Sequence, residues 1–243
     1  MSSQKYFWDT EDNAEAYDEY ASNFPMYKET SHDLVSKALI KSGMTVVDLA
    51  TGTGATTQAI FNLECDNLKV IAVDQAQEML NKAKEKFVGK NVTYIVSEAE
   101  NMASKIYSPV DRVVCNSAFW QIKPKLAFGE IAKILKPSGV FAFNLPDGFL
   151  SDARFTRQPK KPSPYTADDL IDWAREAGLE LVSESIEDYE KRVEEIMAFS
   201  KIPIMKRRFK TDEEMNNYFN KLKNDPNFNS KRQWLYFVFK KIS

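Results

Sequence analysis

Asp48, Gly52, Gly54 and Asp74 have residue types and spacing able to hold a nucleoside. The first three lie in Val46-Val47-Asp48-Leu49-Ala50-Thr51-Gly52-Thr53-Gly54, an apolar run that breaks into a small-residue turn before a helix-prone segment at Ala55. Two of the eight glycines in the sequence stand in this turn. Glycine lets backbone approach a ligand with no side chain between. A turn at the carboxyl end of a first strand is where open α/β sheets bind ligands. Asp74 ends the next strand-like run, Lys69–Asp74 (KVIAVD), and its carboxylate can accept hydrogen bonds from both hydroxyls of a ribose. It can equally cap a helix that starts near Gln75. The dinucleotide fingerprint needs a third glycine, and Thr57 stands there. Asp48, just before the turn, would repel a pyrophosphate but suits a cationic, zwitterionic ligand. The turn therefore points to a nucleoside carrying an amino group and a sulfonium.

Other chemistry is scarce. His32 is the single histidine, and Cys65 and Cys115 form no CxxC pair, so the sequence implies no metal site and no Ser-His-Asp arrangement. With 33 basic and 35 acidic residues, the net charge of −2 gives no field for a nucleic-acid backbone, and no nucleic-acid partner is expected. The apolar runs are strand-length and the first thirty residues lack an apolar signal core. The expectation is a cytoplasmic protein with reduced thiols and no membrane partner.

The elements that must position these residues alternate. Thr45–Ala50, Lys69–Asp74, Val92–Ser97, Arg112–Asn116 and Gly139–Leu145 are short apolar, β-branched runs. Helical patterns near Ala55–Leu63, Gln75–Phe87 and Lys125–Leu135 separate them, which predicts parallel strands covered on both faces. A helix is expected over Ser31–Lys41 with Gly43 as its stop, and another over Thr166–Ala177, N-capped by Thr166. Leu179–Ile186 and Gln233–Lys241 read as the last two strands. The expected architecture is one α/β domain over 1–243, a Rossmann-like, doubly wound, seven-stranded and mostly parallel sheet with an antiparallel edge strand. Residues 1–42 form a helical lead-in, and 188–230 a helical cap insertion between the last two strands.

The turn, with VIAVD and VSEAENM after it, resembles the class I S-adenosylmethionine-dependent methyltransferases, particularly their small-molecule group. Ala50 stands where the family's D-x-G-x-G-x-G pattern has its first glycine. The resemblance runs by motif from Tyr17 to about Leu145, and LKPSGVFAF (Leu135–Phe143) resembles the family's turn into the fifth strand. It implies S-adenosylmethionine as cofactor and S-adenosylhomocysteine as product. It also implies cofactor contacts at Tyr17, Asp48, Ala50, Thr51, Gly52, Gly54, Asp74, Gln75 and Met79. Glu98, Ala99 and Glu100 match the adenine-bordering acid–alanine pair, with glutamate for the commoner aspartate, and Asn116 and Ser117 match the segment beside the cofactor.

On the acceptor side, Tyr27, Phe119, Trp120 and Gln121 are the candidates. Each aromatic can instead be packing material, and Phe119 and Trp120 can instead border the adenine. Tyr17 and His32 are the candidate catalytic groups, although His32 beside Asp33 also fits an exposed or capping residue. A nucleophilic acceptor aligned with the sulfonium methyl needs no base. The basic runs Arg154–Lys161 and Lys206–Lys210 read as solvated loops, or as flanks for an anionic substrate. The expected reaction is methylation of oxygen, nitrogen or carbon on a small, partly apolar molecule. The alternatives are a non-methylating protein that binds the cofactor, a same-fold RNA or protein methyltransferase, and a nicotinamide-dependent oxidoreductase. The pattern specifies neither acceptor nor oligomeric state.

Overall fold

The structure, a computed structural model, describes residues 8–152, 154–155 and 163–242. The chain opens with helices α1 (Glu11–Asn23) and α2 (Met26–Lys37). It continues through β1 (Thr45–Leu49), α3 (Ala55–Phe61), β2 (Lys69–Asp74), α4 (Gln77–Lys86), β3 (Val92–Val96), β4 (Val110–Cys115), α5 (Pro124–Ile134) and β5 (Leu135–Pro146). Then come α6 (Ala167–Glu176), β6 (Leu179–Glu190), α7 (Val193–Lys201), α8 (Pro203–Lys206), α9 (Asp212–Lys223) and β7 (Lys231–Lys241). No helix among the described residues is long and apolar enough to cross a membrane.

Among the described residues the seven strands order as β3-β2-β1-β4-β5-β7-β6. β1 to β5 pair in parallel, so the carboxyl ends of β1, β2 and β4 emerge side by side and bring three sequence-distant loops to one edge. β7 pairs antiparallel with both β5 and β6, so the antiparallel strand lies one position inside the edge. Residue type explains this order. Trp234–Phe239 is buried on both faces and suits an interior strand. β6 exposes Glu180, Glu184, Asp188 and Glu190, charges that block pairing with another chain at an edge.

The pleat sorts β5 and β7 into two cores. Phe141, Phe143 and Leu145 join Leu235, Phe237 and Phe239 on one face with Phe119 and Phe128 from the α5 side. Ala142, Trp234, Tyr236 and Val238 pack on the other face with α2 and α3 residues. Asn144 lies on this second face, opposite Tyr236 in register.

Several boundaries differ from those the sequence suggests. α2 begins five residues earlier than expected, behind Pro25, and its left-handed terminator is Leu39 (φ 51°), not Gly43. Gly43 (φ 78°) instead shapes the entry to β1, donating its N–H to the Asp66 carbonyl at 2.8 Å. α6 starts at a full capping box between Thr166 and Asp169. The insertion runs from Lys191 to Ser230, because β6 extends to Glu190 and β7 starts at Lys231, and it contains a short third helix, α8. α1 packs on it: Ile204 donates its N–H to Asn13 Oδ1 at 2.9 Å, and the Tyr20 and Phe199 rings lie 5.1 Å apart.

Candidate functional site

The turn after β1 is built on unusual backbone. Ala50 (φ 58°), Gly52 (φ 57°) and Gly54 (φ 95°) are all left-handed, a conformation that costs alanine but not glycine. Thr51 Oγ1 donates to the Asp48 carbonyl at 2.7 Å, and Gly54 N–H donates to the Thr51 carbonyl at 3.0 Å, closing the turn. The two glycines serve different ends. A Cβ on Gly52 would meet only the edge of the Tyr17 ring, at 3.6 Å. A Cβ on Gly54 would lie 2.5 Å from Phe87 Cε2, so the space left by its missing side chain is filled by Phe87. Gly52 is the one left for close approach by a ligand.

Asp74, at the end of β2, is held by backbone on both sides. Its carboxylate accepts the Gly52 N–H at 2.8 Å and the Ala76 N–H at 2.9 Å, joining the turn to the start of α4. Burial raises its pKa, opposed by those backbone bonds. Asp48 is only 1% exposed, and burial pushes its carboxyl up to about 7. Its Oδ2 accepts the Thr57 hydroxyl at 2.6 Å, so the threonine in the third-glycine position anchors α3 to the strand end. Thr53 Oγ1 is the buried side-chain polar atom without a partner among the described residues.

Over the turn lies a layer of tyrosines. Tyr17 and Tyr27 are hydrogen-bonded through their hydroxyls with rings 5.6 Å apart, and burial lifts the Tyr17 phenol well above its usual range and Tyr27 to about 12. The Tyr20 ring stands 5.8 Å from Tyr27, and its hydroxyl donates to Glu195 Oε1 of α7 at 3.0 Å. Glu195 is 2% exposed and its carboxyl is raised by burial. Lys191 Nζ sits 5.6 Å over Tyr20 and 5.0 Å over Phe199, and burial lowers it to about 8. Met79 packs beneath with Ala14 and Ala76, and Gln75 is half-buried beside Asp74.

Beyond β3, Ala99 is buried and Glu98 exposed, while Glu100 Oε1 accepts the Lys123 N–H at 2.7 Å and is thereby tied to the next loop. Beyond β4, the Asn116 and Ser117 side chains are held by protein: Asn116 Nδ2 donates to Thr30 and Ser31, and Ser117 Oγ accepts the Trp234 indole N–H at 2.7 Å. Trp120 is half-buried and stacks on Phe149 at 3.8 Å, and Gln121 is exposed. Phe119 does not line the cleft as expected. It is fully buried, 4.2 Å from Phe143 and 5.2 Å from Phe128, because the Phe119–Gln121 turn is a 3-10 helix that sends neighbouring side chains about 120° apart.

His32 also leaves the list of reactive groups. Thr30 and Ser31 face inward on α2, and His32, about 100° further round the helix, has a side chain 73% exposed beside Asp33. Arg154 is occupied by Asp152, Asp168 and Glu184, and residues 156–161 of that basic run lie outside the described residues. Sequence reasoning missed Thr53, Asn144, Tyr20, Glu195 and Lys191. Asn144 has a visible signal, a polar residue inside an otherwise apolar strand; Glu195 has none, since a glutamate in a helix reads as solvated surface.

Residues 40–221 match the family described as a methyltransferase domain. Malonyl-[acyl-carrier protein] O-methyltransferase 2 of Coxiella burnetii is 29% identical over 135 residues, 54% of this chain and 53% of the relative. Trans-aconitate 2-methyltransferase of Azoarcus is 25% identical over 138 residues, 56% and 52% of the two chains. The chain thus spans about half the length of these relatives. Phosphoethanolamine N-methyltransferase 2 of Haemonchus contortus, solved with S-adenosyl-L-methionine, superposes with a TM-score of 0.63 at 19% identity, covering 98% of this chain and 58% of that one. The match over residues 40–221 spans most of the chain, and this chain therefore belongs to the methyltransferase-domain family.

Proposed function

We propose that the turn Asp48–Gly54, Asp74 and Tyr17 hold S-adenosylmethionine, and that its methyl group passes to a small organic acid bound under the α1–α7 cap. The observation that carries the cofactor reading is the turn itself, where Gly52, open except for the edge of the Tyr17 ring, is bonded to the Asp74 carboxylate. The cofactor supplies an electrophilic methyl on a sulfonium. Asp74 accepts the ribose hydroxyls, Gly52 gives backbone access, and Tyr17 covers the turn. Tyr27 and Trp120 offer apolar walls on the acceptor side.

His32 faces water, which favours an acceptor that is nucleophilic without losing a proton. A carboxylate is such a group, and the names of both relatives specify acids, a malonyl group and trans-aconitate. The Lys191 ammonium, held over aromatic rings in the cap, suits the charge of such a substrate. The near-balanced charge makes nucleic acid a poor fit.

Calorimetric titration with S-adenosylmethionine, S-adenosylhomocysteine and NADH, repeated on Asp74→Ala, tests the cofactor site. The first two ligands are expected to bind the natural protein and to lose at least ~100-fold in the variant, since two hydrogen bonds to a charged group go. Binding of NADH alone, or affinity indifferent to residue 74, refutes the site. Transfer of labelled methyl to dicarboxylates supports the acceptor class, and transfer to amines instead overturns it.

A further inference from the structure

Ser117 adopts a left-handed backbone (φ 54°) two residues after β4 ends at Cys115. Strained residues of this kind persist only where their surroundings over-determine them, and they cluster at functional sites. Here every polar group of the residue is held. Its N–H donates to Asn144 Oδ1 at 2.6 Å, its carbonyl accepts the Trp120 indole N–H at 2.9 Å, and its hydroxyl accepts the Trp234 indole N–H at 2.7 Å.

Asn144 is the hub. The other end of its amide donates to Asn116 Oδ1 at 2.8 Å. Asn116 Nδ2 in turn donates to Thr30 Oγ1 at 3.1 Å and Ser31 Oγ at 3.0 Å on α2, and Ser31 shares a hydrogen bond with Thr56 on α3 at 3.0 Å. One fully buried amide thus ties the turn after β4 to β5 and, through Asn116, to the helix that follows the glycine turn. A buried amide is costly unless satisfied. The amide also meets the Tyr236 hydroxyl on β7, but the bonds to Ser117 N–H and Asn116 Oδ1 go to the two turn residues, so filling β5 does not explain it: an apolar side chain would fill the same position without that requirement.

Building on the cofactor site proposed above, we propose that Asn144 is a positioning residue for methyl transfer. By bonding Ser117 N–H and Asn116 Oδ1 together, it fixes the turn after β4 as the wall of the cofactor cleft beside the glycine turn. Asn144 touches neither cofactor nor acceptor and acts through residues 116 and 117.

The test uses Asn144→Leu, similar in size and unable to make either bond. S-adenosylhomocysteine affinity is measured by calorimetry well below the melting temperature, with thermal melting and tryptophan emission recorded alongside. The expected result is a folded protein with affinity at least tenfold weaker, and with altered emission from Trp120 and Trp234, whose indoles bond to the same serine. Trp234→Phe keeps Asn144 and removes only the donor to Ser117 Oγ, so it reports on the turn even if Asn144→Leu does not fold; a two- to fivefold loss is expected. A melting temperature that falls while affinity stays at the natural value, in whichever of these variants folds, means a structural role alone and overturns the proposal. Failure of the natural protein to bind S-adenosylhomocysteine removes the cofactor reading and this inference together; natural binding with indifferent variants removes this inference only.

Discussion

Gly54→Ala places a methyl group where the structure leaves no space. The new Cβ would lie 2.5 Å from Phe87 Cε2 and 3.1 Å from Cζ, and Phe87 is 4% exposed and packed on Phe61 with rings 5.8 Å apart. A rigid buried ring cannot swing aside, so the overpacking should cost ~1–3 kcal/mol. Holding alanine at φ 95° adds about 1–2 kcal/mol. Lost freedom of the unfolded chain returns roughly 0.4–1 kcal/mol. The net expectation is a loss of about 1–4.5 kcal/mol, which at ~2–4 °C per kcal/mol for a chain of this length lowers the melting temperature by roughly 2–18 °C. Gly89→Ala separates the two costs, because Gly89 has φ 78° with nothing within 4 Å of its would-be Cβ. Urea titration of both variants gives the difference as the Phe87 clash alone. Equal losses in the two would refute the view that Phe87 fills the space at Gly54. In the same turn Ala50→Gly should act in the opposite direction, gaining up to ~1 kcal/mol by relieving a left-handed alanine.

Two further outcomes follow from the buried acids. Asp48 has its carboxyl raised from 3.8 to about 7, so the stability it contributes is complete below its unfolded pKa and is lost as pH rises through the folded one. The ligand-free protein should therefore lose up to about 4 kcal/mol from this group between pH 4 and 8, and Asp48→Asn should flatten that slope in pH-dependent urea melts; an unchanged slope counts against it. Tyr20→Phe removes the hydroxyl that donates to buried Glu195 at 3.0 Å. It should destabilise by ~1–3 kcal/mol and speed hydrogen exchange in α7 more than in β1, whereas uniform exchange would show that the cap is not held there.

The parts legible in the sequence are those where a local pattern and a tertiary demand coincide. Val46–Gly54 is an apolar run ended by small residues, and nothing in the fold competes with a strand and a turn there. Asp74 is legible as a ribose acceptor or a helix cap, but its bonds to the Gly52 N–H, 22 residues away, and to the Ala76 N–H, which tie the glycine turn to the start of α4, leave no local trace. The errors come from contacts with no local trace. Phe119 and Trp120 are adjacent aromatics, and only the 3-10 geometry decides that one enters the core while the other stays half-buried, stacked on Phe149. Thr57 looked merely like a missing glycine, but its hydroxyl holds Asp48 from nine residues away. Glu195 meets Tyr20 across 175 residues, a pairing set by how the insertion folds back over α1.

The strand nearest the end of the sequence, β7, is wedged between β5 and β6, and it carries Trp234 to Ser117 and Tyr236 to the Thr30 carbonyl. During synthesis, all the residues of the glycine turn emerge long before the strand that completes the neighbouring wall. Until β7 arrives, β5 presents an unpaired edge flanked by Phe141 and Phe143, and β6 has nothing to pair with. The nascent chain therefore passes through an interval in which a phenylalanine-rich strand edge is bare and prone to the wrong partner. Completion of the sheet and freedom from that hazard are gained in the same late step, the insertion of one strand.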